Sequence, residues 1–200
     1  MRSLVLAALL AVLSGFLRPA AAADFDDAAE AYARGRYGTA LAEWQQLAEA
    51  GNAPAAFRLG EMYRDAKGVR WPDFERAAVW FRLAAAHGNA DAAYALGRLH
   101  YEGLLVPRDT REMRAAFAAA ARLGHARALL TLGVVYEYGL DDIDVDLTQA
   151  LKWYELAAAR GVPELDAKIA KLSRRVREKM TDAQISEALR LASVWNPAAE

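Results

Sequence analysis

Three histidines, a short acidic run and one basic stretch are the side chains of this sequence whose types could support chemistry. His87, His100 and His125 are the imidazoles. No two stand at i, i+4, the step that sets two ligands on one helix face, and zinc asks for three or four N or S ligands. The chain has no cysteine, which removes disulfides, thiolate ligands and a thiol nucleophile together. It carries no Gly-x-Ser-x-Gly elbow and no strand-borne phosphate loop. Asp142, Asp144 and Asp146 have the 1-3-5 spacing of a calcium loop, but Leu147 stands where such a loop needs Gly and Trp153 where it needs a bidentate Glu. The run from Asp141 to Asp146 is therefore expected to be a solvated loop between helices. From Glu164 to Lys179 the residues Lys168, Lys171, Arg174, Arg175, Arg177 and Lys179 outweigh Glu164, Asp166 and Glu178. Such a stretch is read as a solvated basic face that an anionic surface could also meet. No nucleophile and base can be paired, so the sequence predicts no catalytic residue, no metal site and no cofactor, and hence no enzyme.

The elements that would position any site follow from composition and period. The chain has 200 residues, 55% hydrophobic and 26% charged, which suits one compact domain or a short solenoid rather than disorder. A formal net charge of −1 gives no field that would steer the molecule to nucleic acid.

The period is plain. Gly51, Gly88, Gly124 and Gly161 lie 37, 36 and 37 residues apart. Leu59-Gly60, Leu96-Gly97 and Leu132-Gly133 keep the same step, as do Asp73, Asp109 and Asp146, and the aromatic column Trp44, Phe81, Phe117 and Tyr154. Each unit reads as two helices. In the second, Ala77, Trp80, Phe81, Ala84 and Ala85 sit at i, i+3, i+4, i+7 and i+8 and form one apolar stripe. The aspartates stand where a carboxylate caps a helix start, and each closing glycine where a left-handed cap ends one. Arg82 and Lys152 are expected to be solvated. The first helix is built on small residues, and a glycine there costs about 1 kcal/mol relative to alanine. Its recurrence at positions 60, 97 and 133 predicts close approach by a neighbouring helix.

These phrases resemble the Sel1-like repeat, a relative of the tetratricopeptide repeat. The stretch from Ala128 to Tyr136, then Gly139, Asp146, Ala150, Trp153-Tyr154, Ala157-Ala158 and Gly161, fits that pattern, and the unit from Ala55 to Gly88 fits it as well. The middle unit departs at His100, Met113 and Ala116. The resemblance implies an all-α, right-handed solenoid of antiparallel helix pairs. The expected division is a tetratricopeptide-like pair at 24–51, Sel1-like units at 52–88, 89–124 and 125–161, and capping helices at 162–200, with Ile185, Leu189, Ala192 and Trp195 buried in the last of them.

The family implies a protein-binding module whose first helices line a concave groove. The positions left over from the core columns are Phe57, Glu61 and Arg64, then Tyr94, Arg98 and Tyr101, then Leu130, Val134 and Glu137. Aromatic residues mixed with arginine are what interface hot spots favour. The competing assignment places Phe57, Tyr94 and Leu130 in the core between units. The expected partner is a protein or peptide. The alternatives are a structural envelope factor that meets glycan or anionic lipid through the basic cap, and a β-lactamase-like hydrolase, though the branch with that activity resembles a cysteine-rich one.

The first 23 residues read as a secretory leader: Arg2, an apolar run from Leu4 to Leu17, and Ala21-Ala22-Ala23 as the small-residue cleavage signal. That run is too short to span a bilayer core of about 30 Å. Cleavage before Asp24 takes the formal charge from −1 to −3 through loss of Arg2 and Arg18. It predicts a periplasmic or secreted protein with no integral membrane segment after processing.

Overall fold

The computed structural model describes residues 24–104 and 109–196. The leader reading at 1–23 falls outside the described residues. Those residues form ten helices: α1 Phe25–Ala33, α2 Tyr37–Glu49, α3 Ala53–Arg64, α4 Phe74–Ala86, α5 Ala90–Tyr101, α6 Thr110–Arg122, α7 Ala126–Tyr138, α8 Leu147–Ala158, α9 Pro163–Arg177 and α10 Asp182–Val194. None of them is long and apolar enough to cross a membrane. Consecutive helices pack in sequence from α1 to α9, so the chain is an all-α solenoid of antiparallel pairs.

Side chains punctuate each unit at fixed places. Asp73, Asp109 and Asp146 cap α4, α6 and α8, each accepting from the backbone N–H three residues on at 2.9 Å. Asn52 and Asn89 do the same for α3 and α5. His125 takes that place on α7, its Nδ1 accepting from Ala128 N–H at 3.2 Å. The helices before Asn52, Asn89 and His125 end on Gly51, Gly88 and Gly124. Gly88, at φ +84°, lets Asn89 N–H reach back to the Ala84 carbonyl at 3.0 Å.

A ring laid on a glycine holds each pair of helices together. A Cβ on Gly60 would lie 2.5 Å from Phe81 Cδ1, one on Gly97 2.5 Å from Phe117 Cδ1, and one on Gly133 2.3 Å from Tyr154 Cε1. All three rings are fully buried. The close approach expected of these glycines is thus made by the aromatic column of the following helix. Phe57 and Tyr94 each add a second ring beside it, 5.8 Å from Phe81 and 5.7 Å from Phe117.

The closing helices do not form a further pair. α9 and α10 both dock on α8, and α9 also reaches α7. Ile169, Leu172 and Val176 bury one face of α9, while Trp195 meets Trp153 edge-on at 5.9 Å. Two sequence expectations need correction here. The buried centre of α10 is Ala188, while Ile185, Ala192 and Trp195 are only half-buried and Leu189 is 40% exposed. Lys152, expected in solvent, is buried with its ammonium 4.4 Å from the Trp153 ring centre. Its stem lies along apolar surface, and the ring face accepts the charge.

Candidate functional site

The first helices α3, α5 and α7 share one face of the solenoid, and the candidate groove residues lie along it. Two depressions interrupt this face. The first, about 290 Å³, lies between α3, α5 and α7 and gathers Phe57, Arg64, Tyr94 and Arg98 around His125 and Arg127. The second, about 400 Å³, joins α5, α7 and α9 and gathers Tyr94, Tyr101, Leu130 and Val134 with Arg127, Leu165 and Lys168. Tyr94 and Arg127 line both, so the two depressions adjoin. Glu61 lines a third hollow with Phe25, Tyr32 and Trp44, toward α1.

Eight of the nine candidates therefore sit at this face, and Glu137 does not. Its side chain is 1% exposed. One oxygen accepts from Tyr154 Oη at 2.7 Å, and the two oxygens receive Arg175 Nε and Nη2 at 2.7 Å each. Arg175 comes from α9 and covers the position that in a solenoid without that helix would be open. Burial and the Glu137 hydrogen bond push the Tyr154 phenol far above its ordinary value. Leu130 is also buried although it lines the second depression. Phe57 and Tyr94 are half-buried and serve both core and surface.

Most charges on the face are already paired. Arg58 meets Glu61 at 2.7 Å, Arg64 meets Asp65 at 2.7 Å, and Arg98 meets Glu102. The bridge to Arg64 holds the Asp65 carboxyl below the usual range.

His125 was not foreseen at the face. Its ring stacks on Tyr94 with centroids 4.3 Å apart, and Nε2 lies 3.3 Å from an Asp91 carboxylate oxygen. Because Nδ1 accepts the Ala128 N–H, the proton of the neutral ring is on Nε2, facing Asp91. Burial lowers the affinity of this imidazole for a second proton, with Asp91 opposing and Arg127 assisting. His100, buried with both nitrogens unpartnered, is shifted down by the same cause. The unfolded chain thus takes up protons before the folded one. Stability is full above the ordinary histidine range, near 6.5, and is lost as pH falls through and below it. His125→Asn keeps the cap that Asn52 and Asn89 provide and removes one titrating group. Thermal unfolding between about pH 7.5 and about pH 5 should show a smaller fall in Tm for this variant than for the wild type. Equal falls in both would show that His125 contributes nothing to the dependence.

No three His, Asp or Glu side chains converge as a metal site among the described residues. In the acidic run, Asp142 accepts from the Thr110 hydroxyl, which holds its carboxyl low, and Asp146 caps α8. The run is a loop whose carboxylates serve the helices around it.

Comparison with known proteins places this architecture. Residues 53–89, 90–125 and 117–162 match the family model of the Sel1 repeat. Chitin synthase regulatory factor 4 of Schizosaccharomyces pombe is 41% identical over 70 residues, covering 35% of this chain and 11% of that protein. The ubiquitin-protein ligase component HRD3A of Arabidopsis thaliana is 30% identical over 140 residues, 64% of this chain and 20% of that one. The chain thus spans a fifth or less of these curated relatives. A Sel1 repeat protein from Oxalobacter formigenes superposes with a TM-score of 0.67 at 26% identity, over 89% of this chain and 77% of its own. The protective antigen c5321 of uropathogenic Escherichia coli shares the fold with a TM-score of 0.64 at 21% identity, over 80% of this chain and 35% of its own.

Proposed function

The chain belongs to the Sel1 repeat family, and from that premise we propose that it is a non-catalytic adaptor or regulator that holds a protein or peptide against the face formed by α3, α5 and α7. The observation that carries this reading is the adjacency of the two depressions, which share Tyr94 and Arg127 as lining. It joins tyrosine, arginine and aliphatic side chains across three units into one apolar floor with a charged rim, the composition interfaces use at their centre. The named relatives include regulators of chitin synthase and a component of a ubiquitin ligase. Those roles are of accessory proteins and agree with a module that binds rather than transforms. The proposed setting is the bacterial cell envelope, reached through the leader-like residues 1–23.

The test is capture by crosslinking in an envelope extract, with Tyr94→Ala/Arg98→Glu run beside the wild type. We expect a discrete partner whose yield falls about tenfold in the double variant while helicity and Tm are kept. A partner held equally well by both proteins would put the binding surface elsewhere.

The second reading has a narrower support. α9 exposes Lys168, Lys171 and Arg174, which could meet an anionic surface. Arg175 and Arg177 are already taken up by Glu137 and Glu155, so the basic stretch offers fewer open charges than its sequence suggests.

A further inference from the structure

The charge pairing along the binding face is uneven, and the unevenness selects an occupant. Toward α3, each arginine has a carboxylate: Arg58 with Glu61, Arg64 with Asp65. On α5, Arg98 has Glu102 and Asp91 faces His125. Around the second depression the pattern changes. Arg127 on α7 and Lys168 on α9 both line it, both are exposed, and among the described residues neither has a carboxylate partner. Between these two cations the floor is Tyr94, Tyr101, Leu130, Val134 and Leu165. An exposed cation beside apolar surface is complemented by a carboxylate that arrives with an apolar neighbour.

We propose that the α5–α7–α9 end of the face takes an acidic extended segment of a partner protein, whose carboxylates meet Arg127 and Lys168 while an aliphatic or aromatic side chain enters between Tyr101, Val134 and Leu165. The inference rests on the adaptor reading above and names its ligand class. An extended chain suits a shallow trough that crosses three helices, because its side chains point alternately toward the floor and away from it. The balanced charges at the α3 end place no such demand. The occupant is thus acidic where it crosses α7 and α9 and of unrestricted charge beyond.

The experiment is selection of a random peptide display library on the immobilised full chain, followed by fluorescence anisotropy of selected peptides. Arg127→Glu/Lys168→Glu and Arg127→Gln/Lys168→Gln serve as paired variants, both positions being exposed and outside the core. The expected result is enrichment of peptides with net negative charge and at least one large apolar residue. Affinity should fall about tenfold in the Gln pair, further in the Glu pair, and steeply with added salt. If the enriched peptides are neutral or basic, yet lose binding in Arg98→Glu or Tyr101→Ser, the acidic assignment is overturned and the adaptor reading stands. If no enriched peptide responds to any substitution on this face, the acidic segment and the groove reading fail together. A second copy of this chain as occupant would show itself as a dimer by light scattering and would also overturn the proposal.

Discussion

Gly133→Ala should destabilise the protein by about 2 kcal/mol, even though alanine is the better helix former by about 1 kcal/mol. The new methyl group would lie 2.3 Å from Tyr154 Cε1 and 2.4 Å from Cδ1, well inside contact distance. The ring cannot swing aside. It is fully buried, and its hydroxyl is tied to Glu137 at 2.7 Å. The helices must separate instead, and overpacked cores yield typically about 1–3 kcal/mol. Gly97→Ala faces a ring just as close, but Phe117 has no hydroxyl tether, so its loss should be the smaller. Urea unfolding of the two variants gives both values. A cycle with Phe117→Leu should show the cost of Gly97→Ala shrinking when the ring is removed. Unchanged or increased stability of Gly133→Ala would mean that the ring does not rest on the helix as described.

Glu137→Ala is expected to cost about 3 kcal/mol, the lower end for breaking a buried ion pair. Three hydrogen bonds go at once, and the Tyr154 hydroxyl loses its acceptor in the core. Arg175 can turn to solvent, being 36% exposed, which keeps the cost from rising further. Glu137→Gln, which retains an acceptor for the phenol but not the charge, should fall between wild type and Ala. Because α9 is tied to α7 through this pair, its amides should exchange faster in the Ala variant while those of α3 and α4 stay protected. Uniform exchange across all helices, or losses below about 0.5 kcal/mol in unfolding, would show that Arg175 only decorates the surface.

Much of this architecture could be read from spacing alone. The glycines at 60, 97 and 133 and the ring column two turns into the next helix carry their own geometric demand, and the structure brings them together. The aspartate caps follow equally from position. What could not be read is where the series stops repeating. Glu137 was placed on the groove by extending the steps that put Arg64 and Tyr101 there. Arg64 has no α9 beside it and Tyr101 meets α9 only across an open depression, whereas Glu137 has Arg175 laid over it. A hint was present in the ring column: Tyr154 alone has a phenol, and a buried phenol needs a partner. His125 carried a signal too. The phrases Gly51-Asn52-Ala53, Gly88-Asn89-Ala90 and Gly124-His125-Ala126 align, which marks His125 as a cap in place of asparagine. Lys152 escaped because the Trp153 ring takes its ammonium, and Leu189 because its exposure depends on where α9 and α10 settle. Both lie on α8 rather than on each other, a choice that no periodicity of the repeat encodes.

The ring and the glycine it rests on are 20 or 21 residues apart and always belong to the same helix pair. Between pairs, Asn52 and Asn89 each cap the helix that follows, and His125 does so while also meeting Asp91 and Tyr94 of the preceding pair. A gene segment of 36 or 37 codons therefore carries a complete lock and a complete cap. Unequal crossing-over within the array could lengthen or shorten it by whole units upstream of Pro163 without parting any ring from its glycine. Such a chain changes the reach of its binding face by recombination, and the tailored pairing of Glu137 with Arg175 confines that freedom to the side of the array away from its final helices.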